Sequence, residues 1–153
     1  MYTFKCRIGF KGWLKILIYS RSGRLKGIIE SKNLIVNTGI SAIAGLINGV
    51  VTTPFKYVAL GTGTTPPSET DTALENEVAR ASASVSRETT TIENDTAVWD
   101  ATLQIPIACN ISEAGIFDSE SNGVMLARQT FDPKPVEAGD VVRVIWKIQV
   151  TRV

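Results

Sequence analysis

Alternation of apolar with polar side chains at both ends of the chain restricts its fold more than any other feature. Phe4, Cys6, Ile8 and Phe10 alternate with Lys5, Arg7, Gly9 and Lys11. A period of two is that of a strand, so one face is expected buried and the other cationic. The closing stretch VVRVIWKIQVTRV does the same, with Val142, Val144, Trp146, Ile148 and Val150 on one side and Arg143, Lys147 and Gln149 on the other. Between them, WLKILIY leads through the turn SRSGR into LKGIIES, and ASASVSRETTT is rich in β-branched and small residues. AVWDATLQIPI places Trp99, Ala101, Leu103, Ile105 and Ile107 together, and ISEAGIFD, SESNG and VMLARQTF read as a hairpin. DPKPVEAGD, punctuated by Pro and Gly, reads as a loop.

One segment has the helical period instead. In NLIVNTGISAIAGLING, Ile40, Ile43, Ala44 and Ile47 share a face, which predicts a helix over 38–48, started by Asn37 or Thr38 and ended by Gly49. KYVAL reads as a strand and GTGTTPPSET as a long loop. Thr72 and Glu75 form a T-x-x-E capping box that predicts a short helical stretch in TDTALENEVAR. Many short strands, few separated by helices, predict a mainly β protein: an antiparallel β-sandwich of about eight strands with one principal α-helix. With 153 residues, 44% of them apolar, the chain is read as a single β-rich domain, with basic N-terminal strands in 1–32 and the remaining core in 33–153.

The net charge of +1 conceals a division. Residues 1–32 hold eight bases and one acid, +7, whereas 33–153 hold eight bases and fourteen acids, −6. A basic segment suits nucleic acid, a membrane surface, an acidic neighbour in an assembly, or plain solvent. The longest weakly polar run, residues 40–51, is short of the roughly 20 residues that a membrane span requires, and the alternating start is not read as a signal peptide. Cys6 and Cys109 are too far apart in sequence for a metal spacing and are read as small buried hydrophobes, with a bridge between them left open.

The chain contains no histidine, which removes the commonest general base and zinc ligand. Gly61 and Gly63 suggest a phosphate loop, but Thr64, Thr65, Pro66 and Pro67 follow where a lysine and amide donors are needed. DSESNG resembles the first half of a calcium loop, yet Gln129 stands where a bidentate glutamate belongs, so a hairpin turn is the better reading. Glu113 and Asp118 could form a glycosidase pair, though two acids without geometry carry little, and Glu113 is read as a strand-end or turn residue. Phe4, Phe10, Trp13 and Tyr19 lie among bases as a single-strand platform would require, but Phe4 and Phe10 share the apolar face, and nucleic acid is disfavoured. No cofactor, no metal and no enzymatic activity are expected.

Taken together, NLIVNTGISAIAGLI, YVALGTGTTPPSETDTALENEVAR, ISEAGIFD, MLARQTFDP and AGDVVRVIWKIQV resemble a family of tailed-bacteriophage and prophage virion proteins, described as tail fibre, tail-collar or structural proteins. The resemblance covers about residues 33–153. It implies a non-catalytic, self-associating part of a virus particle, made in the host cytoplasm and located in the virion, with copies of itself (a trimer or hexamer) and other virion proteins as partners. Lys5, Arg7, Lys11 and Lys15 are the expected assembly interface. A capsid decoration or head-fibre protein is the alternative, and a module binding host-surface carbohydrate or nucleic acid is a second one. Exposure of Trp13, Trp99 and Trp146 bears on the choice.

Overall fold

The computed structural model describes residues 5–153, so Phe4 lies outside the described residues. Ten strands and one helix follow in order: β1 (Ile8–Tyr19), β2 (Leu25–Ser31), β3 (Leu34–Ile35), α1 (Asn37–Asn48), β4 (Tyr57–Gly61), β5 (Glu77–Ser82), β6 (Ser84–Glu88), β7 (Thr96–Gln104), β8 (Cys109–Phe117), β9 (Met125–Val136) and β10 (Val141–Arg152). They form two five-stranded antiparallel sheets, β2-β1-β10-β7-β6 (sheet I) and β3-β9-β8-β4-β5 (sheet II). The mainly β, antiparallel sandwich with one helix is therefore what the alternation dictated. Ten strands replace about eight partly because β3 has two residues, and partly because the small, β-branched run after residue 77 breaks at Ala83. There the chain steps from sheet II to sheet I.

The period of two builds the core. Leu14, Ile16 and Ile18 of β1, Trp99, Ala101 and Leu103 of β7, and Val142, Val144, Trp146 and Ile148 of β10 face Val58, Leu60, Ile111, Ile116 and Leu126. Each Val, Leu or Ile among them contributes about 1.5–3 kcal/mol on burial. Trp146 is fully buried between its register partners Leu14 and Trp99, and the Trp99 indole donates to the Phe55 carbonyl at 2.8 Å.

Several expected faces are different. In α1, Gly39 and Ala42 are buried and Ile43 and Leu46 pack on the core, while Ile40 and Ile47 are 53% and 82% exposed. The close approach of Gly39 to the Leu126 backbone sets this rotation, since a Cβ at 39 would collide with it. Neither Asn37 nor Thr38 caps the helix: Val36 is the N-cap residue, and the Thr38 hydroxyl donates instead to the Met125 carbonyl at 2.9 Å. Gly49 does end it, at φ 81°, in the left-handed region open to glycine. No helix forms after Thr72; from Glu77 the segment is strand β5. Nor is 132–136 a loop. β9 continues through Pro133 and Pro135, where β3 no longer covers it and a missing N–H costs no ladder bond. Ile107 is exposed in the connection between β7 and β8, Val150 is exposed near the end of β10, and Gln149 is buried, donating to Thr91 and Asp95. Cys6 is exposed and Cys109 half-buried, and both are free thiols.

The outer side of sheet II carries a second, smaller core of Val36, Ala59, Leu74, Phe117 and Met125. Leu74 comes from the 62–76 segment, which therefore lies across this face as a third layer.

Candidate functional site

Two places concentrate unusual chemistry: the covered face of sheet II and the N-terminal half of β1. On sheet II, Glu113 lies in the middle of β8 and is fully buried, not at a strand end or turn. Its Oε1 accepts from the Gly63 and Asn76 amides at 3.0 and 2.8 Å. Its Oε2 accepts from the Glu75 amide at 3.0 Å and from Nε and Nη2 of buried Arg128 at 3.0 and 2.9 Å. Arg128 also donates from Nη1 to Asp71 at 2.9 Å. Burial opposes the Arg128 charge, but the hydrogen bonds and attraction of Glu113 and Asp71 outweigh it and hold its pKa above the usual guanidinium value.

Gly61 and Gly63 are needed here because a Cβ at either position would intrude on the Glu113 carboxylate. The loop that looks like an anion cradle is one, and its anion is the chain's own glutamate. Ser112 closes the arrangement by donating to the Gly63 carbonyl at 2.8 Å. With every lone pair directed at a donor of the same chain, the carboxylate is a fastening for the loop and is not poised as a base.

Asp118 does not join Glu113. Its Oδ1 accepts from the Val124 amide at 2.7 Å and from the Ser119 hydroxyl, closing the hairpin turn in which Asn122 and Gly123 have positive φ. Arg80 stacks over Phe117 at 3.8 Å and donates to the Ser119 and Asn122 carbonyls, fixing the same turn from β5. Among the described residues no group of three or more acids, cysteines or histidines is placed to hold a metal ion. Among them also, no helix is long and apolar enough to cross a membrane.

The N-terminal half of β1 is built the opposite way. β1 pairs with β10 along its whole length, Ile8 opposite Arg152 to Tyr19 opposite Val141. β2 joins only from Leu14, opposite Ser31. Asn33 packs into the notch left by Gly12, and there the chain crosses to sheet II. Sheet I thus extends past β2 as an arm of β1 on β10, which β7 backs as far as Gln149 and beyond which only two strands continue; on it Ile8 is 62%, Phe10 37%, Trp13 43% and Val150 44% exposed. The expected burial of Cys6, Ile8 and Phe10 fails because sheet II does not reach under the arm.

Lys5, Arg7, Lys11 and Lys15 are all exposed. Lys11 and Lys15 flank Trp13 on the outer face of β1, and the Arg7 carbonyl accepts from the Val153 amide at 3.2 Å. Lys15 lies 3.6 Å from Glu30, an exposed pair of small energetic worth. Beside it a shallow groove of about 580 Å³ is lined by Trp13, Lys15, Glu30, Glu88, Ile145 and Lys147. Trp13 is the exposed tryptophan; Trp99 and Trp146 are buried.

The sequence points to the four cations, three on the arm and Lys15 opposite Glu30 of β2, but not to the Glu113–Arg128 fastening. One signal was present: the two charges lie on adjacent strands of the hairpin read from ISEAGIFD and VMLARQTF, close enough in register to meet. No protein-family model, no curated protein and no solved structure matches the chain.

Proposed function

We propose that the protein is a non-enzymatic structural component of a tailed-phage virion, associated with the tail, fibre or collar, that joins copies of itself and other virion proteins. The observation that carries this reading is the N-terminal part of β1 with its β10 partner: exposed Ile8, Phe10 and Val150 on the inner face, and Trp13 with exposed Lys5, Arg7, Lys11 and Lys15 on the outer face. An uncovered apolar face backed by a cationic one is the surface of a subunit awaiting a neighbour. Complementary charge orients the encounter, and the apolar contacts supply most of the affinity.

Self-association has its own support in α1. Residues 33–55 carry no charge, and Ile40, Ala44, Ile47 and Val50 are all exposed along one side of the helix and its exit. Like copies meet there without repulsion, which favours a cyclic homo-oligomer, a trimer or hexamer by the family resemblance. A capsid decoration or head-fibre protein would use the same two surfaces.

Reversing charge at Lys5, Arg7, Lys11 and Lys15 should abolish incorporation into particles while leaving the circular dichroism spectrum unchanged. Normal incorporation across a range of salt concentrations would refute the reading. One observation favours a second reading, binding of host-surface polysaccharide: Trp13 stands exposed beside a groove that Lys15, Glu30, Glu88 and Lys147 also line. Because Trp99 and Trp146 are buried, a fluorescence shift on adding polysaccharide that disappears in Trp13→Ala would support it.

A further inference from the structure

The arm's open edge has a definite polarity. The Val153 amide donates to the Arg7 carbonyl, and the register pairs Ile8 with Arg152. In an antiparallel ladder the bonding direction alternates by residue, so the odd-numbered residues of β1 bond to β10. Ile8, Phe10 and Gly12 therefore direct their amides and carbonyls to the other side, which β2 occupies only from Leu14 onward. Among the described residues no strand pairs with that edge, which Asn33 bounds at Gly12. Exposed strand edges are normally shortened, bulged or covered, because they template pairing with another chain.

The two faces beside this edge differ. Lys11 is on the outer face, Arg7 and Lys5 continue its alternation, and all three are exposed. Ile8 and Phe10 are on the inner face, apolar and without a sheet beneath them. We infer that the edge of β1 from Ile8 to Gly12 accepts an extended segment of another polypeptide as an added strand, one in which acidic residues alternate with apolar ones. Its acids lie beside Arg7 and Lys11 on the outer face, and its apolar residues beside Ile8 and Phe10 extend the inner one. Main-chain bonds supply the pairing, and the alternation supplies selectivity. A second β1 is a poor occupant, since it would set cations against cations. β6, the edge strand on the far side of sheet I, reads SVSRE and lacks the acidic alternation. The inference rests on the assembly role proposed for the arm and names the partner's chemistry.

A synthetic peptide, acetyl-Glu-Val-Glu-Thr-Glu-Val-Glu-amide, tests it on the intact protein by calorimetry and by amide shifts. Two further versions are N-methylated, one at the Glu amides and the other at the Val and Thr amides. Strand addition uses only one set of peptide amides, so one methylated version should bind as the parent does and the other should lose at least about tenfold in affinity. The shifts should centre on Ile8, Phe10 and Gly12, and Arg7→Glu/Lys11→Glu should weaken the parent peptide. Equal binding by both methylated versions would overturn strand addition, as would no binding by the parent. The assembly role would survive either result if the charge-reversed protein still failed to enter particles. A chain that self-associates through this edge and so excludes the peptide would also overturn the inference.

Discussion

The 62–76 loop and the N-terminal half of β1 pose the same physical problem and answer it in opposite ways. Each brings charged groups beside unpaired backbone. In the loop, the amides of Gly63, Glu75 and Asn76 and the guanidinium of Arg128 all turn inward onto the Glu113 carboxylate, and Leu74 seals the layer. In the arm, Lys5, Arg7 and Lys11 remain in solvent, and the amides of Ile8 and Phe10 face an open edge. The first region has spent its polar groups on its own fold; the second keeps them available. Long loops rich in Gly and Pro invite a functional reading, but here the loop is fastened and the regular strand is the open surface.

Removing the cation from the fastening should give the largest effect. Arg128→Ala leaves a buried carboxylate without its counter-charge, and should lower the unfolding free energy by about 3–5 kcal/mol, read from urea denaturation. A loss below about 1 kcal/mol would mean that the loop is not held as described and would erase the contrast with the arm.

Amide exchange should resolve the contrast residue by residue. The Gly63 and Asn76 amides should exchange at least about a hundredfold more slowly than those of Ile8 and Phe10, relative to their unstructured rates, because the first pair opens only when the loop detaches. Equal protection would show that something already covers the arm in solution.

Acid should produce a smaller effect, the clearest part of it outside both regions. At the opposite end of sheet I, Asp140 accepts from Lys26 at 2.6 Å and from the Glu137 amide at 2.8 Å. Burial alone would raise its pKa; these hydrogen bonds and the Lys26 charge prevail and hold it below the usual aspartate range. For Asp100 the bond from Arg143 dominates and acts in the same direction. Because the folded values are depressed, their stabilisation is complete above the ordinary aspartate pKa of about 3.9 and is lost as the pH falls through the lower folded values. The urea midpoint should therefore fall below about pH 4, and Lys26→Met should flatten that fall. A midpoint that falls as steeply in Lys26→Met would remove Asp140 from the account.

Much of the fold was legible because it depends on local period. Leu14, Ile16 and Ile18, like Val142, Val144 and Trp146, are apolar at every second position and share one face of a strand, and two such faces require a sandwich. The turn at Gly23 and the helix stop at Gly49 were legible for a similar reason, since each needs a conformation open to glycine.

What lay beyond the sequence depended on which element ends first. Alternation marks a face as apolar but not whether another layer reaches it, so Ile8 and Phe10 were read as core although sheet II stops short of them. The helical period of α1 admitted either of two neighbouring stripes. The contact of Gly39 with the Leu126 backbone chose the one that leaves Ile40 and Ile47 outside. Glu113 looked like an ordinary polar strand residue, because its donors come from Gly63, Glu75, Asn76 and Arg128, distant in sequence and brought together only when the loop folds over β8. Period is a property of a few consecutive residues and survives in the sequence; coverage and charge pairing are properties of two surfaces, and only the tertiary structure decides which surfaces meet.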